Sequence, residues 1–230
     1  WTHDFLISLG LQEKLVIGER DRAVHIFRSD LLRRGASLSQ ATGALAEALG
    51  IAQKVFPMSD DPVSTMVSTP EGQMHFQDFW VTLKGKPAVS GIIFSGVDRA
   101  RPSPAFLERL DREETVLIGP SNPVTSIGTI LALPGIRERL AKKRVVAVSP
   151  LLADRPARGP AAKFMAALGA PAGDEGVRSL LGKVDLFIVD KKSSYQGGGR
   201  RMSTRMKTRR ESRKVAEELL AIMQDAPSQG

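Results

Sequence analysis

The sequence predicts an α/β fold in which helices flank a largely parallel, Rossmann-like sheet, with a small helical and β-hairpin insertion. Short apolar runs rich in β-branched residues recur at residues 115–118, 144–149 and 184–189. Helical patterns separate these runs, and strands that alternate with helices are typical of parallel sheets. Two further runs, 63–68 and 73–81, flank a Thr-Pro-Glu-Gly turn, which predicts the hairpin.

Glycine, serine and proline mark the ends of the predicted helices. Gly10 and Gly50 close helical patterns, Ser37 is a typical first cap, and Pro134 with Gly135 interrupts a helix. The helices so delimited cover residues 2–11, 18–28, 38–49, 105–110, 127–133, 136–140, 161–168 and 211–223. Strands are also predicted at residues 51–57 and 89–94, and a mobile loop at residues 193–205.

Length and composition indicate one domain over residues 1–230. The 230 residues, 42% of them hydrophobic, suffice for one sizeable core or two small ones. The absence of cysteine excludes disulfides and thiolate metal sites, and the three histidines form no ligand-spaced pair. The sequence shows no apolar run that could span a bilayer and no signal-peptide pattern, so we expect a cytoplasmic protein without membrane association.

The net charge of +8 comes from one segment. Residues 191–214 hold ten Lys or Arg against Glu211 alone, while the remainder carries 23 basic and 24 acidic residues. This segment could bind nucleic acid, but Tyr195 is its one aromatic residue, and a solvated surface is the favoured interpretation. A flap that orders over an anionic ligand is a third possibility, and residues 191–210 are predicted to be a mobile basic segment.

The loop after the 115–118 strand is the first candidate site. Gly119 and Pro120 stop the strand, Ser121 and Asn122 offer polar groups, and Thr125 or Ser126 could cap the following helix. A strand, a tight loop and a helix N-terminus form the arrangement by which α/β proteins hold phosphate. The alternative is an ordinary strand-to-helix turn.

Two polar groups elsewhere could also bind ligands. Asp21, His25 and Arg28 fall on one face of the predicted helix, either as an ordinary solvated face or converging on an anionic ligand. Asp60 and Asp61 follow a predicted strand and could hold Mg²⁺ or a pair of hydroxyls, although an Asp-Pro turn is the commoner use.

Aromatic and basic residues complete the candidates. Phe76 and Phe79 belong to an aromatic-rich predicted strand that could stack a planar ligand, although such residues more often lie in the core. Lys163 lies in the first turn of a predicted helix, where its charge opposes the helix dipole. A nearby anion would explain it, but an exposed lysine needs no such reason.

These residues resemble the 2-phospho-L-lactate transferase family of coenzyme F-420 biosynthesis. The resemblance rests on blocks that follow the family's order from about residue 14 to residue 190. They are Arg20-Asp21 with His25 and Arg28, Pro57-Met-Ser-Asp-Asp61, Phe76-Gln77, Gly119-Pro-Ser-Asn-Pro123 with Ser126-Ile127, Leu133-Pro-Gly-Ile-Arg137, Val145-Val-Ala-Val-Ser-Pro150, and Gly159-Pro-Ala161 with Lys163. The family's N-terminal strand and glycine-rich turn, with its metal and nucleotide aspartates, have no counterpart here; the loop after Pro150 and the basic tail also differ.

The resemblance implies a Mg²⁺-dependent phosphotransferase. Its acceptor would be the deazaflavin Fo and its donor a guanosine diphospho-conjugate of 2-phospholactate, phosphoenolpyruvate or a related acid. The ribityl hydroxyl attacks the phosphorus remote from guanosine, and GMP leaves. Homodimers are common in the family, and the metal ligands are expected in the N-terminal segment.

The resemblance also implies site residues. Ser121, Asn122 and Lys163 would be catalytic. The substrate-binding residues would be Gly119, Pro120, Pro123, Ser126, Asp60, Asp61, Arg20, Asp21, His25, Arg28, Phe76 and Gln77.

One alternative is a related fold without transfer activity, the gluconeogenesis-factor type, which is similar to a nucleotide-sugar-binding regulator. Its equivalent loop lacks the Ser-Asn-Pro of residues 121–123. A basic nucleic-acid-binding protein is the other alternative.

Overall fold

In a computed structural model of the chain, helices and strands alternate as predicted over the described residues, which are 2–11, 13, 15–156 and 160–224. The helices are α1 (Thr2–Ser8), α2 (Glu19–Arg33), α3 (Leu38–Ala48), α4 (Pro104–Arg112), α5 (Ile127–Leu131), α6 (Ile136–Ala141), α7 (Ala161–Ala167), α8 (Asp174–Leu181) and α9 (Arg209–Gln224). The strands are β1 (Ser64–Thr69), β2 (Gly72–His75), β3 (Gly91–Ser95), β4 (Thr115–Ile118), β5 (Arg144–Val148), β6 (Leu151–Leu152), β7 (Arg155–Pro156), β8 (Leu186–Asp190) and β9 (Arg200–Met202).

A parallel sheet with the strand order β4-β5-β8-β9 forms the centre of the fold. Alternate residues of β5 serve two cores: Val145 and Ala147 pack on one face, and Val146 and Val148 on the other. The C-terminal helix α9 covers the second face. Both faces are therefore buried, which explains the continuous apolar run from 145 to 148. The predicted α/β class is confirmed.

The predicted insertion is an antiparallel sheet with the order β2-β1-β3. Val67 of β1 and Phe79 belong to the same hydrophobic core as the parallel sheet. The ring of Phe79 lies 5.6 Å from that of Phe164 on α7, measured between centroids. The insertion is therefore packed onto the main fold.

Two strand predictions are wrong. Residues 51–57 form no strand, and their apolar side chains Ile51 and Val55 are exposed. The second hairpin strand ends at His75 and gives way to a wide helical turn, in which the Leu83 N–H donates to the Asp78 carbonyl over 3.0 Å. The turn lets Phe76 and Phe79, three residues apart, both contact the ring of Phe164, which strand alternation would prevent.

Two further predictions need correction. Residues 193–205, predicted as a loop, contain strand β9, which pairs with β8. The strand β4 lies in a parallel sheet as predicted, but at its edge among the described residues, so Leu117 is 37% exposed rather than buried. The helix over 18–28 is confirmed as α2, although Ile26 is 63% exposed and not in the core.

Two glycines in helices test the packing. A Cβ at Gly176 in α8 would overlap the carbonyl oxygen of Pro171 and lie 2.7 Å from the end of the Met165 side chain. A Cβ at Gly43 in α3 would meet no heavy atom within 4 Å. We expect Gly176→Ala to lower the free energy of unfolding by about 1–3 kcal/mol or more.

The matched Gly43→Ala variant should raise that free energy, by up to about 1 kcal/mol, because alanine favours the helix. Urea denaturation of both variants measures the difference. Equal effects of the two substitutions would show that α8 does not pack against residue 171 in this way.

Candidate active site

The candidate site lies at the carboxyl edge of the parallel sheet. All four strands of this sheet run in the same direction, so the segments that follow β4, β5, β8 and β9 meet at one edge. Ligands of open α/β sheets bind outside this edge. The predicted loop, residues 119–126, follows β4 and therefore lies here.

Asn122 organises this loop. Its side-chain oxygen Oδ1 accepts hydrogen bonds from the backbone N–H groups of Val124 (2.9 Å) and Thr125 (3.2 Å). Its backbone carbonyl accepts from Ser126 (3.2 Å) and Ile127 (3.0 Å). Asn122 thus holds the turn 123–126 that leads into α5. Ser126 lies at the position before the first residue of α5, as predicted, but its side chain makes no capping hydrogen bond.

The same bonds determine what Asn122 can offer to a ligand. Because two backbone N–H groups donate to the Asn122 side chain, the carboxamide atom that faces them must be the oxygen and not the nitrogen. The Nδ2 group has no acceptor among the described residues and remains able to donate. An amide donor that is held in place by its own oxygen suits an anionic or carbonyl ligand.

The rest of the loop combines an exposed tip with a buried base. Gly119, Pro120 and Ser121 are exposed, and the Ser121 N–H donates to the Gly119 carbonyl over 2.8 Å. Pro123 is buried. Because α5 has five residues, its dipole is small, and the loop must bind through its own polar groups.

The insertion sheet supports the loop from the side. A Cβ at Gly128 would lie 2.9 Å from the carbonyl oxygen of Pro123 and 3.4 Å from the ring of Phe94 on β3. The hydroxyl oxygens of Thr65 on β1 and Thr129 on α5 are 3.5 Å apart. The requirement for glycine at 128 therefore comes from the close approach of the loop to α5 and β3.

A buried carboxylate that the sequence did not reveal joins the next two strands. Asp174, in the first turn of α8, is 3% exposed. Its two oxygens accept hydrogen bonds from Ser149, which follows β5, and Ser193, which follows β8. One side chain thus fixes the positions of two strand ends.

The short hairpin β6–β7 joins the same network. Asp154 accepts a hydrogen bond from the Ser194 N–H (2.9 Å), and its Oδ1 lies 3.0 Å from the Ser193 hydroxyl oxygen, whose single proton it shares with Asp174. Burial raises the pKa of the Asp154 carboxyl, but these hydrogen bonds outweigh burial and leave its pKa below the usual value. The sequence signal for this network is a serine at the end of the predicted strand 144–149 and another shortly after the predicted strand 184–189.

An open cavity of about 430 Å³ lies at this edge of the sheet. Pro120, Ser149 with Pro150, and Leu152 line one part of it, and residues 204–207, which follow β9, line another. The predicted loop after β4 and the basic segment therefore border the same cavity.

Lys163 has a structural role that was not predicted. Its Nζ donates to the backbone carbonyls of Gly85 (2.6 Å), Lys86 (3.1 Å) and Pro87 (3.2 Å). The three N–H donors of the ammonium are thus matched by three acceptors. These three carbonyls account for the presence of a lysine in the first turn of α7.

Asp60 and Asp61 bind separate backbone segments. Asp60 accepts from the Ser39 N–H (2.6 Å) and hydroxyl (3.0 Å), so it caps the N-terminus of α3. Asp61 accepts from the Arg101 N–H over 2.8 Å. Contacts to the backbone thus explain both carboxylates, and the two have no hydrogen-bond partner in common among the described residues.

The predicted residues on α2 lie on an exposed surface. Arg20, Asp21 and His25 are exposed, and an Arg28 guanidinium nitrogen lies 3.2 Å from His25 Nδ1, which confirms that those two share a face. Helix α2 packs against α3. No hydrogen bond or ion pair joins these residues to the loop 119–126 within the described part of the chain.

Phe76 lies against the core, and Gln77 does not. The ring of Phe76 meets that of Phe164 edge-on at a centroid distance of 5.8 Å. Gln77 is exposed, and its backbone N–H donates to His75 Nδ1 over 3.2 Å. The core interpretation of the aromatic residues is therefore confirmed for Phe76 and Phe79.

The described residues contain no group of three or more His, Asp or Glu side chains that could hold a metal ion. Asp60 and Asp61 are both engaged by backbone N–H groups, so we assign no metal ligand among the described residues. In the same part of the chain, no helix combines the length and apolar character needed to cross a bilayer.

Comparison with known proteins gives one consistent family. The family model "2-phospho-L-lactate transferase CofD" matches residues 5–225. The 2-phospho-L-lactate transferase of Methanosarcina mazei is 49% identical over 192 residues, which are 83% of this chain and 63% of that protein. Those of Methanosarcina acetivorans and Methanopyrus kandleri are 44% and 40% identical over 96% and 97% of this chain, each with 75% of the relative covered. The chain thus spans less than two thirds of the M. mazei protein.

Solved structures agree on the fold. A UPF0052-family protein from Bacillus halodurans gives a TM-score of 0.55 at 17% identity, over 72% of this chain and 52% of that chain. A second structure from the same organism gives 0.60 at 15% identity, over 85% and 70%. At this identity the similarity concerns the fold alone.

Lys163 can be tested by removing its charge. Because Lys163→Met leaves three carbonyls without their ammonium partner, we expect it to lower the free energy of unfolding by about 1–2 kcal/mol. The matched Lys142→Met, which replaces an exposed lysine without a described partner, should change that energy by less than about 0.5 kcal/mol. Urea denaturation measures both. If Lys163→Met retains wild-type stability, the carbonyl contacts are not the reason for this lysine.

Proposed function

The chain belongs to the 2-phospho-L-lactate transferase family, and from this membership we propose that it is a phosphotransferase of coenzyme F-420 biosynthesis. It would move a phospholactyl group, or the corresponding enolpyruvyl or related three-carbon group, from a guanosine diphospho-conjugate to the deazaflavin Fo. GMP would be the second product. The match of residues 5–225 to the family carries the proposal.

The geometry of the Asn122 loop supports such a reaction. In phosphoryl transfer, an enzyme contributes positioning and neutralisation of charge more than covalent chemistry. The free Nδ2 group of Asn122 and the exposed hydroxyl of Ser121 are donors at the carboxyl edge of the sheet. We assign them to phosphate or carboxylate oxygens of the donor, with Gly119, Pro120, Pro123 and Ser126 shaping the loop around it.

The bond changes follow from this placement. The ribityl hydroxyl of Fo attacks the phosphorus remote from guanosine, the bond from that phosphorus to the GMP oxygen breaks, and the hydroxyl loses its proton. Donors that point at oxygens which gain charge in this step lower its barrier. Ser121 and Asn122 are proposed for this role.

Other assignments rest on the family resemblance. Arg20, Asp21, His25, Arg28, Phe76 and Gln77 remain proposed substrate contacts, as do Asp60 and Asp61 beyond their bonds to the backbone. Lys163 remains a proposed catalytic residue beyond its carbonyl contacts. Dependence on Mg²⁺ is proposed for the reaction, but no step is assigned to a metal held by the described residues. Assembly as a homodimer and a cytoplasmic location are proposed on the same basis.

The test is a transfer assay. Purified protein is incubated with Fo, Mg²⁺ and guanosine diphospho-conjugates of phospholactate or phosphoenolpyruvate. The mass of the deazaflavin product is then determined by mass spectrometry. A product that is heavier than Fo by one phospho-acid unit supports the proposal, and the preferred donor identifies which three-carbon acid is transferred. Tight binding of UDP-sugars without any product would favour the regulator of the gluconeogenesis-factor type.

Asn122 allows a sharp substitution. Asn122→Asp keeps the Oδ1 acceptor that orders the loop, removes the Nδ2 donor and adds a negative charge. We expect wild-type stability and at least a tenfold loss of kcat/KM, since a charge-assisted hydrogen bond contributes about 1.5–3 kcal/mol.

Asn122→Ala serves as the comparison, because it also removes the loop's acceptor and should lower stability by about 1 kcal/mol. Thermal unfolding and steady-state kinetics separate the two effects. Undiminished turnover in Asn122→Asp would place the loop outside the site.

A further inference from the structure

We propose that the cavity between the loop after β4 and the segment after β9 is a phosphoryl-binding subsite, in which Thr204, Arg205 and Lys207 hold an anionic oxygen group of the substrate. The inference rests on the proposed function and deepens it. It assigns a charge-neutralising role to residues of the basic segment. Three observations carry it.

The first observation is a buried hydroxyl. Thr204 lines the cavity and is 4% exposed, and its Oγ1 has no hydrogen-bond partner among the described residues. A buried polar atom without a partner is costly, so such atoms in folded proteins usually serve a ligand, an ion or a water molecule. Thr204 is therefore suited to donate to an oxygen of a bound group.

The second observation is the positive charge beside that hydroxyl. Arg205 and Lys207 line the same cavity. Arg205 Nε lies 3.5 Å from Glu211 Oε1, and the Lys207 ammonium has no carboxylate partner within the described part of the chain. The two cations and one carboxylate leave a net positive charge, which attracts an anion.

The third observation is that this segment is held in place. Glu211 Oε2 accepts from the backbone N–H groups of Lys207 (2.7 Å) and Thr208 (3.0 Å), and the Thr208 hydroxyl accepts from the Glu211 N–H (3.2 Å). This capping box begins α9. The N–H bond from Lys207 lowers the pKa of the Glu211 carboxyl, with burial opposing it, so the bonded carboxylate form is favoured. Glu211 thus holds the backbone of Lys207 and contacts the side chain of Arg205.

The position of the cavity favours a substrate phosphate over a macromolecule. Pro120 of the Asn122 loop lines it, and so does Ser149, whose hydroxyl is bound to Asp174. Its volume of about 430 Å³ suits a diphosphate or a small phospho-acid. None of the described residues that line the cavity is aromatic, so they provide no surface on which nucleic acid bases could stack. The bound group is either the diphosphate of the nucleotide or the phosphate of the three-carbon acid.

The experiment measures binding without turnover. Dissociation constants for GDP and for 2-phospholactate are determined by calorimetry for the wild-type protein and for Arg205→Gln, Lys207→Gln and Thr204→Val. The matched control is Arg210→Gln, which removes the same charge from an exposed residue that does not line the cavity. We expect about tenfold weaker binding or more in Arg205→Gln and Lys207→Gln, and less than about twofold in the control.

Thr204→Val distinguishes ligand binding from a structural role. Valine keeps the shape and removes the unpartnered hydroxyl, so thermal stability should stay the same or rise while binding weakens. Lower stability together with unchanged binding would show that Thr204 is a structural residue and would count against the subsite.

The two ligands identify the source of the phosphate. Weaker binding of GDP assigns the subsite to the nucleotide's diphosphate, and weaker binding of 2-phospholactate alone assigns it to the three-carbon acid. Unchanged affinity for both ligands in Arg205→Gln and Lys207→Gln overturns the subsite, even if the transfer assay succeeds. Conversely, if the protein binds GDP through these residues but forms no product with Fo, the result supports the subsite and contradicts the proposed function.

Discussion

A single buried carboxylate sets the geometry of the candidate site. Asp174 accepts hydrogen bonds from Ser149 and Ser193, which follow the two central strands β5 and β8. Burial of a carboxylate is favourable only where donors replace its lost water. The two hydroxyls must therefore stay in place, and with them the ends of both strands. This contact adds to the backbone hydrogen bond from the Ser149 N–H to the Ile188 carbonyl, which already joins the ends of the two strands.

Three charged side chains elsewhere in the fold bind backbone groups. Lys163 satisfies three carbonyls, while Asp60 and Asp61 satisfy N–H groups of Ser39 and Arg101. Exposed loops need such contacts because their backbone groups have no partners in a helix or sheet. The positive charge that lines the cavity at the sheet edge comes from Arg205 and Lys207, which belong to the basic segment 191–214.

The sequence predicted the elements whose pattern is local. Continuous runs of β-branched residues identified β4, β5 and β8, because burial on both faces of a strand requires apolar residues throughout. Helix signals identified α3 and α9, because burial of one stripe of a helix leaves a periodic apolar pattern. The turn after His75 was missed because it depends on Phe164, which is distant in sequence. The strand β9 was missed because three residues, two of them arginine, carry no apolar signal.

Residues of the candidate site were likewise predictable only where their contacts are local in sequence. Asn122 was predictable, since its turn involves the next few residues. Asp174 was not, because its partners lie 25 and 19 residues away and meet only when the strands pair. Tertiary contacts of this kind leave no spacing that a local pattern could reveal. The unpartnered hydroxyl of Thr204 likewise depends on the packing around it and not on its neighbours in the sequence.

The two edges of the parallel sheet differ in how they resist pairing with another chain. At one edge, β9 presents Arg200 and Arg201, whose charges discourage a second strand from approaching. At the other edge, β4 has the apolar sequence Thr-Val-Leu-Ile and is protected mainly by its length of four residues. Among the described strands, β4 therefore offers the less protected backbone to an added strand.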